Sequence, residues 1–170
     1  MKPEVNVLFV CLGNICRSPS AEGVFRQVVQ QSGFESRIAI DSCGTGDWHV
    51  GKAPDGRAMA AAGKRGIDIS DLRARQFQAP DLDRFDYVLV MDRQNFADVR
   101  DIWQQHGGTE PALFLGFGRS DEEEVPDPYY GGDQGFEHIA QARGIDFLVC
   151  ALGREVLRLL VHGHHEFARG

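Results

Sequence analysis

Val5-Asn-Val-Leu-Phe-Val-Cys-Leu-Gly-Asn-Ile-Cys-Arg-Ser-Pro-Ser-Ala-Glu22 is the stretch whose reading decides the rest of the chain. Val5 to Val10 is a short apolar run without turn residues, the pattern of a buried strand. Ser18-Pro19-Ser20-Ala21-Glu22 reads as a helix start. Ser18 is the expected N-cap and Pro19 the expected first helical residue, where a missing N–H is harmless. The residues between, from Cys11 to Arg17, must then form a tight strand-to-helix loop, and the positive end of the helix points at Cys11.

Such a loop suits a tetrahedral dianion. The backbone N–H groups around residues 12 to 17 can converge as an anion nest, reinforced by the helix dipole. Gly13 and Asn14 are expected to supply positive φ, which glycine adopts freely and asparagine tolerates. Arg17 offers a planar fork that matches two phosphate oxygens, where a lysine would be only a point charge. A positive field of this kind favours the thiolate of Cys11, the nucleophilic form of sulfur. Ser18 can donate its hydroxyl to that sulfur and improve it as a leaving group. A cysteine that ends a buried strand is ordinarily an apolar filler. What sets Cys11 apart is that Gly13, Asn14, Arg17 and Ser18 each have a task around it.

The remainder of the chain alternates strands and helices. Strands are expected at Val5–Val10, Arg37–Ser42, Tyr87–Met91 and Ala112–Leu115. Helices are expected at Pro19–Gln31, Asp55–Arg65 and Asp92–Gln105, with Asp92 as an N-cap, and a long final helix carries Ile145, Leu148, Val149, Leu152, Val156, Leu159 and Leu160 at helical spacing. Crossovers of this length imply an α/β fold with a parallel, doubly wound sheet. Ligands bind such sheets beyond the carboxyl ends of the strands, which is where Cys11 falls.

A chain of 170 residues suits one domain, 1–170, with one core. No apolar run approaches the roughly 20 residues needed to span a bilayer, and Val5–Val10 is too short for a signal-peptide core. A net charge of −7 without a basic stripe argues against nucleic-acid binding. Asp121-Glu-Glu-Glu124 reads as a solvated acidic loop. Cys11, Cys16, Cys43 and Cys150 lack Cys-x-x-Cys spacing, which argues against a zinc site or a secreted disulfide scaffold and for a reduced, cytoplasmic protein. No metal or cofactor is expected. His162, His164 and His165 have no carboxylate or cysteine at ligand spacing, and His49 falls near the expected site.

Val7-Leu-Phe-Val-Cys-Leu-Gly-Asn-Ile-Cys-Arg-Ser-Pro-Ser-Ala-Glu22 resembles the signature of the low-molecular-weight protein tyrosine phosphatases. Asp41-Ser-Cys-Gly-Thr45, Trp48-His-Val-Gly51, Ala74-Arg-Gln76, Phe85-Asp-Tyr-Val-Leu-Val-Met-Asp92 and Val125-Pro-Asp-Pro-Tyr-Tyr130 follow in that family's order. The resemblance implies a single three-layer domain: a four-stranded parallel sheet in the order 2-1-3-4, helices on both faces and a phosphate-binding loop after the first strand. It also implies two-step hydrolysis of phosphotyrosine through a phosphocysteine, with a catalytic loop at 11–18 and an acid loop at 125–132.

Expulsion of a phenolate needs a proton donor, typically worth 10²–10⁴-fold. By resemblance that donor is Asp127, which then acts as base on the water of the second step. Two prolines stiffen the backbone around it. Leu12, Ile15, Trp48, Tyr129 and Tyr130 are expected to form apolar walls deep enough to select a phosphophenyl ring over phosphoserine. Related phosphoarginine phosphatases typically carry threonine where Ile15 stands, so the isoleucine favours phosphotyrosine. By the family pattern Asn14 and Ser42 support the loop. One departure matters: several relatives have a histidine where this chain has Leu72, so any relay through that histidine is absent or replaced.

Cys16 shares the loop with Cys11 and would protect it through a reversible disulfide or simply fill space. A thiol-based arsenate reductase shares this loop and fold but needs cysteines paired to relay a disulfide. A silent phosphotyrosine-binding module would not need Cys11, Arg17 and Asp127 together. Expected partners are phosphotyrosine proteins, including a tyrosine kinase that would modify Tyr129 or Tyr130, with the chain a monomer or weak dimer.

Overall fold

Alternate residues of β1 (Val5–Cys11) serve two separate cores, and this division organises the molecule. The computed structural model describes residues 2–117, 123–131 and 135. The expected final helix, Cys150, His162, His164 and His165 lie outside the described residues, as do Asp121 and Glu122 of the acidic loop.

Val5, Val7 and Phe9 face α1 (Arg17–Gln31) and α2 (Gly56–Gly63), and Leu8 and Val10 face α3 (Asp81–Arg84) and α4 (Arg93–His106). This is the period-2 alternation of a strand buried on both faces. Phe9 sits edge-on to Phe25 at 5.9 Å and to Phe114 at 5.3 Å between ring centroids, which locks α1 onto the sheet. β2 (Ile38–Gly44), β3 (Tyr87–Val90) and β4 (Ala112–Leu113) complete a four-stranded sheet in the order β2-β1-β3-β4, with every pairing parallel. The expected three-layer α/β architecture and strand order are therefore present.

Several boundaries differ from expectation, each for a local reason. β2 starts one residue late and runs on to Gly44, because Cys11 pairs in register with Gly44. α2 begins after Asp55, whose side chain caps it by accepting from the Arg57 N–H at 2.8 Å, and it ends at Gly63, short of Arg65. β4 stops at Leu113, since Phe114 turns under the sheet against Phe9 and the chain enters a 3-10 turn at Phe114–Phe117. The single turn α3 was not expected, being too short to show a helical period.

The helix α1 starts at Arg17, so Ser18 is not its N-cap and Pro19 is not its first residue. Cys16 occupies the cap position, and no side chain caps the helix there. The Ser18 hydroxyl is committed elsewhere, as described below. Pro19 still lies among the first helical residues whose N–H groups have no partner within a helix.

Candidate active site

The register that sets Val10 beside Val90 and Cys11 beside Gly44 brings the ends of β1, β2 and β3 together, and the loop from Cys11 to Arg17 rises from that edge. Its peptides are pinned from outside by their oxygens. The carbonyl of Cys11 accepts from the Thr45 N–H at 2.9 Å, that of Leu12 from the Gly46 N–H at 2.9 Å, and that of Ile15 from the Asp55 N–H at 2.8 Å. The carbonyl of Cys16 accepts from the Ser20 hydroxyl at 2.7 Å. In a trans peptide the N–H points opposite to the C=O. The amides of Leu12, Gly13, Cys16 and Arg17 therefore face away from these anchors, into the loop, as an anion nest requires. The Asn14 N–H points directly at the Cys11 sulfur, 3.3 Å away.

Asn14 carries the one positive φ of a non-glycine residue among the described residues, 55°. Its side chain holds that conformation from three sides. Nδ2 donates to the hydroxyls of Ser18 at 2.8 Å and Ser42 at 2.9 Å, and Oδ1 accepts from the Arg75 N–H at 3.0 Å. Gly13, by contrast, does not adopt positive φ, contrary to expectation. Its lack of a side chain serves a close approach: a Cβ there would lie 3.0 Å from Cδ2 of His49. Gly44 is tighter still, since a Cβ would come within 2.6 Å of the Leu12 carbonyl oxygen.

The Ser18 hydroxyl lies 3.0 Å from the Cys11 sulfur, as the sequence predicts. Ser42 contacts Asn14 even though Leu72 is a buried core residue in place of a histidine. The Ser42 hydroxyl instead donates to Glu22, at 2.5 Å.

Arg17 is buried, and its guanidinium is held by two carboxylates that arrive from distant parts of the chain. Nη1 donates to Asp92 at 2.6 Å and to the Val125 carbonyl at 3.1 Å, while Nη2 lies 3.3 Å from Asp127. Burial works against the Arg17 charge, but Cys11, Asp92 and Asp127 outweigh it and hold the group above its ordinary range. The sequence reading identified Asp92 as an N-cap, and it is one, accepting from the Asn95 N–H at 2.7 Å. Its grip on Arg17 was missed.

The expected acid loop is fastened to the same frame. The Val125 N–H donates to the Met91 carbonyl at 2.7 Å, and Glu124 accepts from the Arg93 N–H at 2.7 Å at the head of α4. Glu123 pairs with the Arg93 side chain. Glu123 and Glu124 are exposed, as expected of a solvated acidic loop, and both contact Arg93. Asp127 caps the 3-10 turn Pro128–Tyr130 by accepting from the Tyr129 N–H at 3.0 Å, and its carboxylate remains about one-third exposed.

These groups line a cleft of about 420 Å³ bounded by Cys11, Leu12, Gly13, Ile15, Cys16, Arg17, Trp48, His49, Asp127 and Tyr129. Trp48 and Tyr129 are exposed at its mouth, with Ile15 buried at the side. The Arg57 guanidinium lies 5.5 Å over the Tyr129 ring, a contact that the sequence reading did not anticipate. The side chain of Tyr130 lies outside the described residues. Burial first, then Asp55, Cys11 and Asp127, push the Cys16 thiol up to about 12. Cys11, Cys16 and Cys43 are all free thiols. Among the described residues no group of histidine, cysteine and carboxylate side chains could hold a metal, and no helix is long and apolar enough to cross a membrane.

The sequence pattern of the family described as low molecular weight phosphotyrosine protein phosphatase matches residues 6–154. A phosphatase of that name from Schizosaccharomyces pombe is 45% identical over 138 residues, covering 80% of this chain and 88% of the relative. The low molecular weight protein-tyrosine-phosphatase YfkJ of Bacillus subtilis is 38% identical over 154 residues, covering 89% of this chain and 97% of its own. The crystal structure of YfkJ superposes with a TM-score of 0.84 at 35% identity, covering 96% of this chain and 99% of that one. A protein tyrosine phosphatase from Entamoeba histolytica, solved with Hepes in its active site, superposes with a TM-score of 0.80 at 32% identity over 93% of this chain and 98% of its own. With a pattern that spans most of its length and relatives this similar, the chain belongs to the low molecular weight phosphotyrosine protein phosphatase family.

Proposed function

We propose that this protein hydrolyses phosphotyrosine in proteins in two steps, through a phosphocysteine on Cys11. The observation that carries the reading is the convergence of the Cys11 sulfur, inward-facing loop amides, the Arg17 guanidinium and the Asp127 carboxylate on one cleft. In the first step the Cys11 thiolate forms a bond to phosphorus as the P–O(aryl) bond breaks, and Asp127 delivers its proton to the departing phenolate oxygen. Arg17 exchanges its long 3.3 Å contact with Asp127 for two phosphate oxygens, which frees the acid at the moment it is needed. In the second step Asp127 takes a proton from water, the water oxygen bonds to phosphorus, and the S–P bond breaks. The Ser18 hydroxyl, 3.0 Å away, then donates to the departing sulfur. The loop amides stabilise the charge on the phosphoryl oxygens throughout.

The cleft walls support an aryl substrate. Trp48 and Tyr129 at the mouth can flank a phenyl ring, and Ile15 presents an apolar surface where the phosphoarginine enzymes resembled by this loop typically carry a threonine. Arsenate reduction by thiol relay is disfavoured by Cys43: it is fully buried, and burial pushes its thiol well above the ordinary range. The site is complete within one chain, which is consistent with a monomer or weak dimer of one domain, 1–170. Free thiols at Cys11, Cys16 and Cys43 suit a reducing cytoplasm. Phosphotyrosine proteins, a tyrosine kinase among them, are the partners this reading implies.

Rapid acid quenching during hydrolysis of p-nitrophenyl phosphate tests the mechanism. Phosphate bound to Cys11 and loss of turnover in Cys11→Ser are expected; turnover without phosphate on that sulfur overturns the reading.

A further inference from the structure

The turn that carries Trp48 is held firmly and yet left exposed. The Val50 N–H donates to the Asp47 carbonyl at 3.2 Å, which makes Trp48 and His49 the central residues of a tight turn. One end of this segment is tied to the Cys11 loop through the Thr45 and Gly46 amides. The other end is tied to Ala74: the Gly51 N–H donates to the Ala74 carbonyl at 2.8 Å, and the Ala74 N–H to the Lys52 carbonyl at 2.8 Å. Gly51, at a φ of 83°, makes the reversal that this pairing needs. The indole of Trp48 is seated as well. A Cβ at Gly46 would stand 1.8 Å from Cζ3 of its six-membered ring, so only glycine lets the ring lie back on the main chain.

His49 turns inward from this segment, its ring edge against Gly13, while Trp48 and Val50 turn out, 65% and 55% exposed. The large hydrophobic side chains that stand exposed among the described residues are these two, Leu12, Tyr129 and Ile102, and all but Ile102 border the cleft or belong to the turn at its mouth. Exposed apolar side chains gathered in one place mark a binding surface. Trp48 and Tyr129 border the cleft itself, whereas Val50 stands beyond the residues that line it and carries the apolar surface past the indole.

Resting on the phosphotyrosine reading proposed above, we propose that Trp48 and Val50 form a second, shallow apolar subsite outside the cleft, which takes an aliphatic or aromatic side chain next to phosphotyrosine in the substrate, with Val50 as a specificity-determining residue. Continuity with the cleft identifies the occupant. A phosphotyrosine whose ring lies between Trp48 and Tyr129 brings its own main chain to the mouth, so its neighbours in sequence lie across the surface that borders it. An apolar neighbour releases the water held over Trp48 and Val50, and a serine in its place does so far less. Main-chain hydrogen bonds and the seat at Gly46 already hold this surface in place, so binding has little order left to impose. The subsite stands away from the phosphoryl group, so it acts on the capture of peptides, and small aryl phosphates do not sense it.

The test is kcat/KM for two phosphotyrosine peptides, alike except that leucine or serine flanks the phosphotyrosine on both sides, measured beside p-nitrophenyl phosphate with the native protein, Val50→Ser and Val50→Asp. Val50 is exposed, so both substitutions leave the core untouched. The native protein is expected to favour the leucine peptide about tenfold, the effect of withdrawing roughly half of one leucine side chain from water. The preference should fall to about threefold in Val50→Ser and to less than about twofold in Val50→Asp, with p-nitrophenyl phosphate turned over within about twofold by all three proteins. The proposal is overturned if the native protein treats the two peptides alike, if the preference survives both substitutions, or if p-nitrophenyl phosphate turnover falls as far as peptide turnover. A native dimer in sedimentation that Val50→Asp dissociates, with the peptides treated alike, would assign the patch to a second copy of the chain and overturn it too. Hydrolysis of p-nitrophenyl phosphate with neither peptide hydrolysed would instead reject the phosphotyrosine reading itself.

Discussion

Arg17 and Asp92 meet at 2.6 Å although 75 positions separate them in the chain, and the same carboxylate caps α4. The guanidinium proposed to bind phosphate is thus indexed to the second residue after β3. Replacing Asp92 by asparagine keeps an oxygen for the Asn95 N–H but removes the charge that holds Arg17. Inhibition by inorganic phosphate is expected to weaken about tenfold, with a loss of stability of about 2 kcal/mol. Asp92→Ala should lose about 1 kcal/mol more through the missing cap, as read by chemical denaturation.

Asp127 supplies the leaving-group proton in the proposed mechanism. Asp127→Asn should slow aryl phosphate turnover by roughly 10²–10⁴-fold. The rate should also become steeply dependent on the acidity of the leaving phenol, so a series of substituted phenyl phosphates gives the diagnostic slope. Equal slopes for both proteins would exclude Asp127 as the acid.

Two glycines should respond in opposite directions to alanine. At Gly44 the new methyl group would stand 2.6 Å from the Leu12 carbonyl oxygen, a backbone atom that cannot step aside without distorting the loop. Gly44→Ala is expected to lower the melting temperature and abolish phosphate binding. At Gly63, in the last turn of α2, a Cβ meets nothing within 4 Å. Gly63→Ala should stabilise the protein by about 0.5–1 kcal/mol with activity unchanged.

Glu22 links stability to pH. Its carboxyl is raised from 4.5 in the unfolded chain to about 7 in the folded one, chiefly by burial, so the folded state binds the proton more tightly. Stability from this group is therefore full below its unfolded value and is lost as pH rises through about 7. Relative to Glu22→Gln, which cannot titrate, the native protein should lose up to about 3 kcal/mol across that window. Parallel denaturation curves at several pH values would show it, and a constant difference would rule it out.

The first strand, its loop and the following helix were legible because their signals are local: an apolar run, a glycine and an asparagine in the bend, and a proline in the opening helical turn. The same locality misled at Ser18, where the Ser-Pro pair has the pattern of a cap. In this loop no side chain caps the helix, and the serine hydroxyl lies beside the Cys11 sulfur instead. Gly13 was misjudged for a related reason: a glycine in a bend suggests unusual φ, whereas here it makes room for His49, a neighbour that only the folded chain supplies. The pairing of Asp92 with Arg17 and of Glu22 with Ser42 could not be read from sequence at all. Asp92 reaches Arg17 only because β1 and β3 are paired in register, and Glu22 reaches Ser42 only because one side of α1 packs on β2. The departure at Leu72 was visible as a missing histidine, but what takes its place became clear only from the packing.

Fastening the segment that carries Asp127 to Met91, Arg93 and Arg17 gives the proposed catalysis a particular temporal character. Enzymes that swing a flap over their substrate must push solvent aside on every cycle, and thickening the medium slows them. Here the proposed proton donor already rides on the scaffold that carries the proposed nucleophile, so at saturating substrate the catalytic cycle should run at the same speed in viscous sucrose as in dilute buffer.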